Sequence, residues 1–264
     1  MRVIPFEKWH GLGNDYLLVE RAALPDALAP DLVRRLCDYH FGVGSDGIIE
    51  VISADEARAE IVIWNPDGST AELSGNGTRI AARWLARRSG RDEVRIAVGG
   101  REVVARMRGR FEVETDMGAV EVAPIENLDV DGTRVEFTPV SVGNPHAVIV
   151  REPDRAEVLR LGPLVENHPR FPDRTNVQLV RVDSRSEATA GVWERGAGET
   201  LSSGTSACAV AAAAVVNGWC ESPVTVHLAG GDLVVELDEQ MRARLTGPAQ
   251  AICRGETAKE WLTE

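Results

Sequence analysis

The sequence predicts an α/β protein of the α+β kind, made of two similar strand-rich halves that each carry one apolar helix. Three observations predict it. Short runs rich in β-branched residues dominate the chain, helical patterns are few, and one stretch recurs half a chain later. Trp64 to Ala82, "WNPDGSTAELSGNGTRIAA", aligns without a gap with Trp193 to Ala211, "WERGAGETLSSGTSACAVA", at a constant offset of 129 residues in a chain of 264. Trp64 meets Trp193, Ser74 meets Ser203 and Gly75 meets Gly204, the arrangement an internal duplication leaves.

In chain order, the strand-like runs are "RVIPFEKWHG", "DYLLVE", "EARAEIVIW", "DEVRIAV", "REVVARM" and "FEVETDM" in the first half. In the second they are "TRVEFTPVSV", "HAVIVRE", "NVQLVRVDS", "PVTVHL" and "DLVVELD". Helical periodicity is expected over residues 29–40 and 154–168, and after each Ser-Gly, in "GTRIAARWLARR" and "GTSACAVAAAAVVNG". The last of these is alanine-rich all round and should be buried. The basic run "ARRSGR" reads as a solvated helix end.

A formal charge of -12 and a pI near 5.0 argue against nucleic acid or an anionic membrane as partner, since phosphate binding needs clustered Lys and Arg. A small molecule is the expected ligand. Cys37, Cys208, Cys220 and Cys253 are widely spaced, with no CxxC pair, so neither a disulfide scaffold nor structural zinc is expected, and a cytoplasmic protein fits best. Neither a signal peptide nor a membrane-spanning run is legible.

The duplicated Ser-Gly steps carry the chemistry. If the halves face each other about a pseudo-twofold axis, Ser74 and Ser203 approach one cleft from opposite sides. The free N–H groups of Gly75–Asn76 and Gly204–Thr205 then point into it, ready for a carboxylate. A carboxylate held between two symmetrical side chains suits inversion of its α-carbon, one group removing the proton and the other returning it. Each serine is also an ordinary helix N-cap. Asn14, Asn65, Asn144, His146 and Asn176 stand in turns around the pair, and Glu194 with Arg195 suits a zwitterionic ligand. The chain contains no GxxxxGK[ST], strand-linked GxGxxG, pyridoxal-phosphate lysine context or His cluster, so any reaction is expected to need no cofactor and no metal.

Six ordered motifs, "FEKWHGLGNDY", "GVGSDG", "NPDGSTAELSGNGTR", "VGNPHAV", "RTNVQLV" and "ERGAGETLSSGTSACA", resemble those of the diaminopimelate epimerases, a family of cofactor-independent amino-acid epimerases. The resemblance implies two pseudo-twofold-related halves, each a strand-rich barrel around a central helix. They are expected over residues 1–118 and 119–251, with a tail at 252–264 packing back on the first. It also implies a homodimeric isomerase interconverting LL- and meso-diaminopimelate by two-base proton transfer, in lysine and peptidoglycan-precursor biosynthesis. Asn14, Asn65, Asn144, Asn176, Glu194 and Arg195 would hold the substrate's amino and carboxylate groups. Gly75, Asn76, Gly204 and Thr205 would bind the reacting carboxylate, and His146 and Glu194 would assist catalysis.

The family's two bases are cysteines, and Ser74 and Ser203 occupy their positions. Gly47, where many relatives carry Gln, and Ser206, where Gly is common, are further departures. A thiol with pKa near 8.5 shuttles a proton near neutrality, whereas an alkyl hydroxyl is a far weaker acid. No His or Lys in the motifs is an evident activator for either serine. Low or no activity is therefore expected. Three readings stand open: a deliberate double Cys-to-Ser replacement, a paralogue that binds an amino acid without turning it over, or a racemase or lyase acting on another amino acid.

Overall fold

The computed structural model describes residues 3–24, 26–72 and 74–263. The chain runs β1 (Pro5–Gly11), β2 (Asn14–Glu20), α1 (Pro30–Cys37), β3 (Ile48–Ala54), β4 (Arg58–Trp64), β5 (Thr70–Ala71), α2 (Gly75–Ser89), β6 (Glu93–Val98), β7 (Arg101–Met107) and β8 (Glu112–Ala119). It continues through β9 (Glu121–Val122), β10 (Glu126–Val130), β11 (Thr133–Ser141), β12 (Pro145–Val150), α3 (Arg155–Glu166), β13 (Asn176–Val182), β14 (Glu187–Glu194) and β15 (Gly198–Glu199). The last elements are α4 (Gly204–Val216), β16 (Val224–Leu228), β17 (Gly231–Leu237), β18 (Arg242–Pro248) and β19 (Gln250–Glu256). Two compact units form, Met1–Thr115 with Gly247–Glu264, and Asp116–Thr246.

In the first unit β1 lies between β19 and β2, β2 runs parallel to β3, β3 pairs antiparallel with β4, β4 runs parallel to β6, and β7 joins β6 to β8. Alternate strand residues turn inward: Trp9, Leu18, Ile49, Ile61, Ile63, Val94, Ile96, Val103 and Val113 close on Ile80, Ala81, Trp84 and Leu85 of α2. The sheet is thus curled around one helix, because α2 buries Gly75 through Ala82 and Trp84 through Ala86 against it and leaves Arg83 and its basic end toward solvent. That end behaves as a solvated terminus: Gly90 caps it in the left-handed region, Arg87 pairs with Glu7 and Arg88 with Glu20.

The second unit repeats the scheme. β12 runs parallel to β13, β13 pairs with β14, β14 runs parallel to β16, and β17 joins β16 to β18, as β2, β3, β4, β6, β7 and β8 do in the first. Its central helix α4 is buried from Gly204 through Ala214, as its alanine-rich sequence predicts. The outer helix α3 packs Val158, Leu161 and Val165 on Leu128, Phe137, Ile149, Val177 and Leu179.

Some boundaries differ from expectation. The first helix stops at Cys37 rather than His40, because Asp38 is extended and its carboxylate accepts the N–H groups of His40 and Phe41, forming a turn instead. The strand expected from Arg2 begins at Pro5, and Arg2 lies outside the described residues. Strands β3, β10, β14, β18 and β19, and the two-residue strands β5, β9 and β15, lie outside the strand-like runs of the sequence. β3 is buried along its first four residues, so it lacks alternation. β14 carries small residues because α3 lies close: a Cβ on Gly191 would meet Val158 Cγ2 at 2.5 Å. No helix among the described residues is long and apolar enough to cross a membrane. No disulfide joins any of the four cysteines.

Candidate active site

Each central helix begins at the serine that the repeat singled out. Ser74 has extended φ/ψ and its Oγ accepts the N–H of Gly77 at 3.1 Å; Ser203 does the same for Ser206 at 3.4 Å. Both are therefore N-caps, and neither is only that.

Ser74 Oγ also lies 3.1 Å from the Tyr16 hydroxyl, which projects from β2. Beside it, a chain of side-chain bonds crosses the first unit. Arg79, fully buried on α2, donates to Asn76 Oδ1. Asn76 Nδ2 donates to Asn14 Oδ1 at 3.2 Å, and Asn14 Nδ2 to Asp46 Oδ2 at 3.1 Å. A guanidinium can only donate and a carboxylate can only accept, so the two charged ends fix the orientation of both amides between them. Asp46 is itself held by the N–H of Asp15 at 2.9 Å and the Tyr39 hydroxyl at 2.9 Å. Asn65 stands apart from this chain. Its Nδ2 donates to Ser69 Oγ at 2.9 Å in the turn after β4.

In the second unit Ser203, 4% exposed, donates its hydroxyl to Glu194 Oε2 at 2.9 Å. Burial raises the Glu194 carboxyl above its ordinary range, against the opposing bond from Ser203. His146, 1% exposed, accepts at Nδ1 from Gln178 Nε2 at 3.0 Å, which places its proton on Nε2, 2.9 Å from Asn144 Oδ1. Burial first, with Arg195 adding to it, drives this imidazole from 6.5 down to about 3, so it is neutral at ordinary pH. Gln178 also donates to Ser206 Oγ at 3.0 Å. Asn176 Oδ1 accepts the Arg195 N–H at 3.0 Å and its Nδ2 donates to the Pro145 carbonyl at 2.9 Å. The Arg195 guanidinium is exposed and reaches the Asp173 carbonyl at 3.2 Å. Gly204 and Thr205, like Gly75 and Asn76, are buried at the helix starts.

The repeated tryptophans are each anchored by a buried glutamate, but from different places. Trp64 Nε1 donates to Glu50 of β3 at 3.0 Å, and Trp193 Nε1 donates to Glu166 of α3 at 2.7 Å. Glu166 also accepts the Gly196 N–H at 2.9 Å and Arg174 at 3.1 Å, which holds the turn that presents Arg195.

The sequence points to the serines, to Asn14, Asn76, Asn144, His146, Asn176, Glu194 and Arg195, and to Asp46 in its glycine-rich loop, but gives no sign of Tyr16, Arg79, Gln178 or Glu166 as members of these networks. It also offered no His or Lys to activate the serines. The structure gives each a different ionisable partner, a phenol for Ser74 and a carboxyl for Ser203.

Residues 6–123 and 138–252 match the family model described as diaminopimelate epimerase. A diaminopimelate epimerase of Desulfitobacterium hafniense is 41% identical over 97% of this chain and 99% of its own length. One of Moorella thermoacetica is 40% identical over 95% of this chain and 98% of its own. Among solved structures, a predicted epimerase of Pseudomonas aeruginosa shares the fold with a TM-score of 0.73 at 20% identity, over 97% of this chain and 99% of that one.

Proposed function

Since the chain belongs to the diaminopimelate epimerase family, we propose that it is an isomerase that inverts the α-carbon of an amino acid, with LL- and meso-diaminopimelate as its substrate pair. The observation that carries this is the repeated helix start: Ser74 and Ser203 each stand at backbone N–H groups suited to a carboxylate, and each is bonded to an ionisable side chain. Inversion needs one proton-accepting and one proton-donating group at the carbon, and the repeated serines are the two candidates. Asn14, Asn65, Asn144, Asn176, Glu194 and Arg195 are the groups assigned to the zwitterion, with Gly75, Asn76, Gly204 and Thr205 at its reacting carboxylate.

Hydroxyls in place of thiols make the reaction slow. A positioned acid or base contributes ~10² to 10⁴-fold, and a hydroxyl whose own pKa is far from neutrality recovers that only by borrowing the acidity or basicity of its partner. Solvent-deuterium exchange at the α-carbon of LL-diaminopimelate, followed by proton NMR, tests the assignment. Slow exchange is the expected result; exchange with another amino acid and none with diaminopimelate would reject the substrate.

A further inference from the structure

We propose that Tyr16 is the proton source behind Ser74, a relay residue that acts through the serine hydroxyl. This rests on the reading of Ser74 as a proton-transfer group. The Tyr16 ring is buried, and its hydroxyl lies 3.1 Å from Ser74 Oγ across 58 residues of sequence. Gly47 makes room for it: a Cβ there would lie 2.8 Å from Tyr16 Cε1 and 2.5 Å from the Trp64 carbonyl oxygen. Any larger residue at 47 displaces the ring on which the phenol rides.

The bond pattern sets the direction of transfer. Ser74 Oγ already accepts the Gly77 N–H at 3.1 Å. When it also accepts the Tyr16 O–H, its own hydrogen is turned away from both partners, and two accepted bonds polarise that O–H as a donor. In the protonation half of an inversion, the carbanion's electron pair takes the Ser74 hydrogen. The Ser74 O–H bond breaks as the C–H bond forms, and the Tyr16 hydrogen moves to Ser74 Oγ. Serine is regenerated and Tyr16 is left as phenolate, which water reprotonates. Run backwards, the phenolate is the base and serine passes the proton inward. No free serine alkoxide forms in either direction.

The test compares Tyr16→Phe in two backgrounds. In the unmodified chain it should lower α-deuterium exchange of diaminopimelate by about tenfold or more and remove the alkaline limb of the pH profile. Its Kd for diaminopimelate should stay within about twofold. With Ser74→Cys, whose thiol supplies its own proton, Tyr16→Phe should change exchange by less than about twofold. An equal loss in both backgrounds means a structural role and overturns the proposal. So does an absence of exchange in the unmodified chain while the Ser74→Cys, Ser203→Cys protein turns over. If neither exchanges, the functional reading fails instead, and the Tyr16 13Cζ resonance decides the relay. Only Tyr16 and Tyr39 are present, so a Tyr39→Phe variant assigns the two resonances. Ser74→Ala should move the Tyr16 resonance; no movement overturns the proposal.

Discussion

The Ser203 hydroxyl donates to Glu194 at 2.9 Å, and burial holds that carboxyl above the ordinary glutamate range. A serine so placed hands its hydrogen to a carboxylate that is a better base than an exposed one. Glu194→Gln removes the acceptor charge and keeps the shape. We expect α-deuterium exchange to fall by about 10²-fold with folding intact; unchanged exchange would remove Glu194 from the chemistry.

Restoring thiols should raise activity. Ser74→Cys combined with Ser203→Cys is expected to increase exchange at the α-carbon of LL-diaminopimelate by at least ~10²-fold, because a thiol titrates near neutrality. A double variant that binds diaminopimelate but exchanges nothing would sink the substrate assignment.

Arg195 presents an exposed guanidinium on a turn held by Asn176 and Glu166. Arg195→Ala should weaken diaminopimelate binding by ~1.5 to 3 kcal/mol, the range of a charge-assisted bond. Titration calorimetry reads it directly, and equal affinities would count against this turn as the carboxylate or amine holder.

His146 makes stability fall in acid. Its native value, about 3, lies below the ordinary 6.5, so the unfolded chain takes up the proton first as pH drops. The stability contributed by the neutral ring is complete above about pH 6.5 and is lost progressively toward pH 3, at up to ~1.4 kcal/mol per pH unit. Glu194, raised in the native state, acts in the opposite sense: its contribution is present at low pH and lost as pH rises through its native value. Urea unfolding of the chain and of His146→Gln between pH 4 and 7 isolates the first effect; parallel pH dependences would contradict it.

Gly162 sits on α3 against the Trp193 ring, where a Cβ would lie 2.5 Å from Cγ. Helix propensity alone favours alanine there by ~1 kcal/mol. Because Glu166 anchors the ring, overpacking should win, and Gly162→Ala should destabilise by ~1 to 3 kcal/mol. A higher urea midpoint would show that the ring yields.

Much of the fold is legible because its signals are local. Strand alternation, the two Ser-Gly helix starts and the all-round apolarity of α4 each depend on a few neighbouring residues. The duplication needed only a comparison of the chain with itself, and the strand pairings repeat with it. β3 is hidden because a strand covered on both faces loses the alternation that marks a strand, whereas β14 keeps alternating burial but is hidden by the small residues that the close helix requires.

The sequence by itself determined two repeated halves, each with a serine at its helix start, and the polar residues available to a site. Only the tertiary structure decided which of those groups are wired together. Tyr16 meets Ser74, and Asp46 and Arg79 hold Asn14 and Asn76 between them, because the sheet of the first unit curls around α2 and brings their side chains together, Arg79, Asn76 and Tyr16 buried and the others half-buried. Burial then makes the pairing matter. Away from water a polar group must find a partner or lose stability, and that partner is set by the closing of the sheet rather than by nearness in sequence.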